Sequence, residues 1–483
     1  MSSAVFRRGW RLVAAGLLLV PIQLTDPLGR REASAAPGNA EAPNILLVVL
    51  DDVGINLIGT YAGGSAEPAC TPTLDWIADR GVRFDNAWAS PVCSATRAQI
   101  LTGRYGFRTG VGAAIGLGPE RYEGLPSTEV TIAEELAAAG YSTGLFGKWH
   151  LATGNADPAD PLTQGFDWFE GSIPGSLSRQ VHFLPFGQFC PTCPPGCESG
   201  TLGYYKWINS LNGVESCDTR YATSATVSDG LASIGGADLP EPWFVAASFN
   251  AIHTPFHIPP ASLCPGGPEC VCSGPLSNAS LKARATLEAA DRELRRLVLN
   301  LWERSQRPLY VLVIGDNGTD APVAGGHLGG CSDPKRSKGT LYQGGLHVPL
   351  MIWTPGIVPR RVSGLVVATD LYATIAELAG VATSAEDSVS LVPYLEGATG
   401  SLRSTVYAET FLPNGLPFAP TTHQRAVRND GFKLIRRTAA TDELYELTSD
   451  PCEASDLFPP APGSEAESAW QILDTELQLL GVG

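Results

Sequence analysis

The stretch Asn44-Ile-Leu-Leu-Val-Val-Leu-Asp-Asp-Val-Gly54 decides the fold. Asn44 to Leu50 reads as one strand: after Asn44 come only branched aliphatic side chains, the composition of a strand buried on both faces, and the run ends on two carboxylates, Asp51 and Asp52. The same grammar recurs far along the chain. Residues 309–314 (LYVLVI) form a second such run, followed by Gly315-Asp316-Asn317-Gly318. In open α/β sheets ligands gather outside the carboxyl ends of strands, so two acidic strand ends predict one shared site. Taken singly, each acidic pair also reads as the cap of a following turn.

Working outward, residues 73–80, 131–139 (after the cap-like Ser127-Thr128) and 281–301 carry helical patterns, and residues 243–249 read as another apolar strand. Strands alternating with helices predict an α/β fold, a large and mostly parallel sheet flanked by helices. Residues 165–218 break the rhythm. They are rich in Gly, Pro and Cys, as in a long stapled insertion that walls a pocket. Beyond residue 386 the pattern turns to short strands, with a hairpin over residues 424–437 around Asn429-Asp430-Gly431. The expected organisation is a leader at 1–35, a catalytic domain at 43–385 and a smaller C-terminal α+β subdomain at 386–483.

The chain has 483 residues, of which 44% are hydrophobic, enough for a substantial core. Its formal net charge of -16 repels nucleic-acid phosphates and anionic lipid, so neither is an expected partner. An anionic substrate would need a local cluster of cations to overcome that field, and polyanions are disfavoured. Arg7, Arg8 and Arg11 precede the apolar run from Leu12 to Val20, and Ala33-Ser34-Ala35 supplies a small-residue cleavage site, so the leader reads as a secretory signal peptide. Arg7-Arg8 loosely matches a twin-arginine signal as well. That apolar run is too short for a membrane span, and no later stretch reaches the roughly 20 apolar residues needed. The expectation is an exported protein, periplasmic or secreted, with no membrane segment in its mature form. Its eleven cysteines are odd in number. The clusters Cys190, Cys193, Cys197 and Cys264, Cys270, Cys272 could ligate zinc in a cytosolic protein, but export favours disulfides, and one cysteine is then left over.

Residues 91–104, Pro-Val-Cys93-Ser-Ala-Thr-Arg97-Ala-Gln-Ile-Leu-Thr-Gly-Arg, resemble the signature of the sulfatase family, with Ala95 and Thr96 where proline and serine are commoner. Further blocks match in the family's order: 44–54, 70–89, 140–150 (GYSTGLFGKWH), 315–318, 338–349 (KGTLYQGGLHVP) and 444–451 (LYELTSDP). The resemblance implies an alkaline-phosphatase-like α/β fold and a hydrolase of sulfate esters. It also implies that a maturation enzyme oxidises Cys93 to formylglycine, whose hydrate offers one hydroxyl for attack on sulfur and a second for breakdown of the product ester. That fate accounts for the odd cysteine and leaves ten to pair.

The all-oxygen set Asp51, Asp52, Asp316 and Asn317 suits a hard cation rather than zinc. In the family these positions, with the modified Cys93, hold Ca2+. By the same resemblance Arg97 contacts the modified residue and the carboxylates, Lys148 and Lys338 bind sulfate oxygens, His150 deprotonates the hydrate and His253 binds substrate and protonates the leaving alcohol. Lys148 and His150 are expected on one face of a strand, two residues apart. His257 rivals His253; Ser172, Ser176 and Ser178 compete for a further sulfate contact; Gln343 and His347, where relatives often have Glu and Arg, read as supporting residues. Two other functions share this layout, a phosphate or phosphonate ester hydrolase and a catalytically silent binding protein. The substrate expected first is a small sulfate ester.

Overall fold

The computed structural model describes residues 42–61, 67–116, 118–178, 194–198, 201–264, 266, 270–325 and 331–481. The leader, Cys190 and Cys193 lie outside them. The described residues form fourteen strands: β1 (Asn44–Leu50), β2 (Val82–Trp88), β3 (Ser142–Lys148), β4 (Trp168–Ser172), β5 (Trp207–Leu211), β6 (Val214–Asp218), β7 (Trp243–Ser248), β8 (Leu309–Gly315), β9 (Leu350–Trp353), β10 (Arg360–Val367), β11 (Val406–Leu412), β12 (Thr422–Arg428), β13 (Phe432–Arg437) and β14 (Glu443–Glu446). The first ten make one mixed sheet in the order β10-β2-β9-β8-β1-β7-β3-β4-β5-β6. Its centre, β8-β1-β7-β3-β4, is wholly parallel.

The β1 run divides as a doubly covered strand must. Ile45, Leu47 and Val49 pack into one core with the helices Cys93–Thr102, Ile132–Ala138 and Asp370–Leu378. Leu46, Val48 and Leu50 pack on the opposite side with Pro72–Arg80, Ala222–Ser233 and Ala279–Arg304. Strands β11–β14 form a separate antiparallel sheet under the helix Glu465–Leu479, with its own core. Its β12–β13 pairing is the expected hairpin.

Three local expectations change. The helix after residue 131 is capped by Thr131 itself, whose hydroxyl accepts from the Glu134 N–H while the Glu134 carboxylate takes the Thr131 N–H; Ser127 and Thr128 lie upstream. The insertion at 165–218 is not all loop. It contributes β4, β5 and β6, which extend the sheet, and a Cys197–Cys217 disulfide staples it. The cysteines pair less completely than expected. Cys70–Cys270 and Cys331–Cys452 are disulfides, so neither cysteine cluster assembles as a zinc set among the described residues, but Cys264 and Cys272 are free. The Cys264 thiol donates instead to the Cys272 carbonyl at 3.5 Å. No helix among the described residues is long and apolar enough to cross a membrane.

Candidate active site

Strand order alone gathers the polar groups. β8, β1, β7 and β3 run parallel, and their carboxyl ends present in turn Asp316-Asn317, Asp51-Asp52, Asn250 to His253, and Lys148 to His150. Leu50 pairs with Gly315, so the two acidic strand ends are neighbours, and the Asp316 N–H donates to the Leu50 carbonyl at 3.0 Å. Asp52 adopts a left-handed φ of 65°, which turns the chain so that its N–H reaches Asp316 Oδ1 at 3.1 Å.

Cys93 opens the helix Cys93–Thr102 and is fully buried. Its Sγ lies within 4.8 Å of carboxylate oxygens of Asp51 and Asp316, and 3.2 Å from Nδ1 of His150. The other ring nitrogen of His150, Nε2, is 3.0 Å from the Ile115 carbonyl, which can only accept. Nε2 therefore carries the proton, and Nδ1 turns a lone pair toward residue 93. Burial, followed by the nearby Lys148 ammonium, holds His150 well below its usual value and keeps the ring neutral. Lys148 and His150 do not share a strand face as expected. β3 stops at Lys148, and His150 follows with φ of 64°, so the two side chains reach one site from different backbone conformations.

Arg97, one turn into the same helix, is the tie among four elements. Its guanidinium donates to Asp316 Oδ2 at 2.8 and 3.1 Å, to the Lys148 carbonyl at 2.9 Å and to Ser248 Oγ at 2.5 Å. Lys148 Nζ reaches Asp51 Oδ2 at 2.6 Å, and Lys338 pairs with Asp52. Against the cost of burial, Lys338 and His253 hold the Asp52 carboxyl low. Asp51 is pushed well above its usual range by burial, which outweighs Lys148, and then by the Asp316 and Asp52 charges. A carboxylate so placed calls for a cation. Two buried oxygens give the fit: Asp51 Oδ1 and Asn317 Oδ1 have no hydrogen-bond partner among the described residues, and both can only accept. With Asp52 and Asp316 they form a hard, all-oxygen donor set beside residue 93.

His253 stands across from this cluster, facing Asp52 and Lys338, with Nδ1 3.0 Å from the Thr254 carbonyl. Nδ1 is thus the donor, and Nε2 has no hydrogen-bond partner among the described residues. Burial lowers His253 to about 3 in spite of Asp52. Its rival His257 is consumed elsewhere: Nδ1 donates to the Pro255 carbonyl at 3.1 Å, and Nε2 accepts from Tyr221 at 3.0 Å. Of the three serines, Ser172 ends β4 beside Lys148 and accepts from Asn250 Nδ2 at 3.1 Å, whereas Ser176 Oγ donates to the Thr254 carbonyl and meets Ser178 Oγ at 3.0 Å. Gln343 and His347 are structural, bonded to Trp88 Nε1 and the Asp85 carbonyl. Residues absent from the sequence reading include Ser248, the Ile115 carbonyl, Tyr204 and Gly175. Ser248 alone left a signal, a hydroxyl closing an otherwise apolar strand.

The model of the Sulfatase family matches residues 43–381, and that of the C-terminal part of N-sulphoglucosamine sulphohydrolase matches 335–477. Human arylsulfatase A is 32% identical over 91% of this chain and 88% of its own length. N-acetylgalactosamine-6-sulfatase of Canis lupus familiaris is 29% identical over 84% of this chain and 74% of its own. Among solved structures, Ps i-CgsB in complex with k-i-k-neocarrahexaose superposes with a TM-score of 0.71 at 23% identity, covering 91% of this chain and 92% of the other. BT4656 in complex with D-glucosamine-2-N,6-O-disulfate gives 0.66 at 19%, covering 91% and 98%. Both share the fold.

Proposed function

Since the chain belongs to the sulfatase family and is a sulfuric ester hydrolase, we propose that it works through a formylglycine made from Cys93, with Ca2+ held by Asp51, Asp52, Asp316 and Asn317. The observation that carries this reading is the buried Cys93, set between two carboxylates and the bare Nδ1 of His150. Its Sγ stands where the hydrate oxygens of the modified residue would be. When present, the cation would polarise sulfate oxygens and the hydrate would supply the attacking oxygen.

The remaining work falls to side chains. Lys148 and Lys338 stabilise charge on the sulfate oxygens, and Arg97 fixes the helix bearing residue 93 against Asp316. His253 holds a proton at Nε2 for the departing alcohol oxygen. With one proton held on Nδ1 by the Thr254 carbonyl, the ring takes up its second, at Nε2, as the anionic ester binds. His150 accepts a proton at Nδ1 from residue 93, and the Ile115 carbonyl steadies the imidazolium through Nε2–H. Three carboxylates against a divalent cation, an arginine and two lysines leave a net charge of about +2, suited to a monoanionic ester. We further assign residues 43–385 to the catalytic body and 386–483 to the C-terminal subdomain, and we place the protein outside the cytoplasm. The basic-apolar leader and the disulfides support that location.

The test compares kcat/KM for nitrophenyl sulfate, nitrophenyl phosphate and phenylphosphonate on one preparation, with mass spectrometry of residue 93. Sulfate is expected to be preferred, on protein whose residue 93 carries an aldehyde, and chelation should abolish turnover until Ca2+ is returned. Faster turnover of a phosphorus ester, or full activity with an unmodified thiol, would overturn the reading.

A further inference from the structure

Behind His253 stands a wall of rings that the catalytic set does not use. Tyr204 comes from the stapled insertion, in the turn before β5, and is buried. Its hydroxyl is bonded to the carbonyl of Asn250 and lies 2.9 Å from that of His253, the two ends of the turn that carries the histidine. Burial, and then the Asp51 charge, push this phenol well above its usual range, so it stays protonated and donates. Its ring stacks on His257 with centroids 3.9 Å apart and planes 25° apart. His257 is itself pinned at both nitrogens, by Pro255 and Tyr221. The far side of the turn is fastened to the metal-site strand: Asp51 N–H donates to the Ala251 carbonyl at 3.0 Å, and Ile252 N–H to the Asp51 carbonyl at 2.7 Å.

We propose that Tyr204 is a positioning residue for leaving-group protonation, setting where Nε2 of His253 stands relative to the ester oxygen. The proposal rests on His253 being the group that protonates the leaving alcohol. The turn is held by Asp51 on the nucleophile side and by Tyr204 on the leaving-group side, with Asn250 Nδ2 tied to Ser172 Oγ and the Thr254 carbonyl to Ser176 Oγ at its flanks. Removing the Tyr204 hydroxyl loosens the turn at the Asn250 and His253 carbonyls while residue 93, His150 and the lysines, held by other elements, stay in place. A displacement of about 1 Å at a reacting group costs on the order of a hundredfold, and the loss falls hardest on substrates whose alkoxide departs poorly without a proton.

The experiment measures kcat and KM of full-length, aldehyde-bearing Tyr204→Phe, His253→Ala and the double variant on nitrophenyl sulfate and on an alkyl sulfate. Tyr204→Phe should lose about tenfold or more in kcat on the alkyl sulfate and less than about threefold on nitrophenyl sulfate, with KM nearly unchanged. In the His253→Ala background it should add nothing. If His253→Ala is leaving-group dependent but Tyr204→Phe loses equally on both substrates, or on neither, the positioning role is wrong while the reading of His253 stands. A flat loss for His253→Ala itself overturns that reading and the proposal with it. Should Tyr204→Phe fail to fold, as thermal melting would report, Tyr221→Phe frees His257 and loosens the Tyr204 ring. It should show the same bias, smaller, and no bias there overturns the proposal.

Discussion

A buried imidazole serves as a base only when one nitrogen is bare and aimed, and in His150 three neighbours enforce this. The Ile115 carbonyl takes the Nε2 proton, Ser94 Oγ donates to the His150 carbonyl at 3.0 Å, and Gly175 leaves room for the ring. A Cβ at Gly175 would lie 2.3 Å from Cε1 of His150. The backbone at Gly175 is not in the left-handed region, so alanine is tolerated there as a conformation and fails only against the imidazole. If His150 is the base as proposed, Gly175→Ala is expected to cut kcat on nitrophenyl sulfate by about tenfold to a hundredfold with a melting temperature near wild type. Unchanged kcat in a folded variant would show that the ring has slack. The candidate site residues Cys93, Arg97, Lys148 and His150, which the fold brings together, were legible in sequence because their types and spacing match the family's blocks. Gly175, Ile115 and Tyr204 were not, because each acts through a backbone atom or an empty space that only tertiary packing creates.

Among elements, the buried parallel strands read clearly, since β1, β7 and β8 are covered on both faces and admit only apolar residues. Strands β4 to β6 did not, because each is five residues long, mixes apolar with polar side chains, and lies in a stretch whose Gly, Pro and Cys content reads as loop. The entry to β9 is held against β2 by a different device. His347 Nε2–H donates to the Asp85 carbonyl of β2 at 2.8 Å, and burial, against that hydrogen bond, lowers the histidine to about 4. The sign follows from the protons bound. Below about pH 6.5 the unfolded chain takes up a proton that the folded ring refuses, so stability is intact above 6.5 and is lost as pH falls toward 4. His347→Gln keeps a donor but does not titrate. Its urea midpoint should fall less than that of wild type between pH 7 and pH 5, and equal falls would place the acid sensitivity elsewhere.

At the scale of the whole molecule, two fields of opposite sign act on any sulfate ester. The chain carries a formal -16, whereas the buried Arg97 and Lys148 and the half-buried Lys338 balance Asp316, Asp51 and Asp52, so a bound divalent cation would turn the site net positive. Salt distinguishes them, because charges in solvent are screened beyond about 10 Å at 0.1 M while buried pairs are screened far less. If the acidic exterior governs approach and the buried cations govern binding, adding sodium chloride relieves the repulsion and leaves the grip intact. The expected result is that kcat/KM for nitrophenyl sulfate rises, by about twofold, between about 10 and 150 mM salt, and that a multiply sulfated oligosaccharide gains more steeply because each added charge meets the same exterior field. Sodium chloride is the salt to use, since inorganic sulfate is the product and would occupy the site. A fall in kcat/KM with salt would mean that the cationic cluster projects past the rim of the pocket, and that the acidic surface does not select against polyanionic substrates.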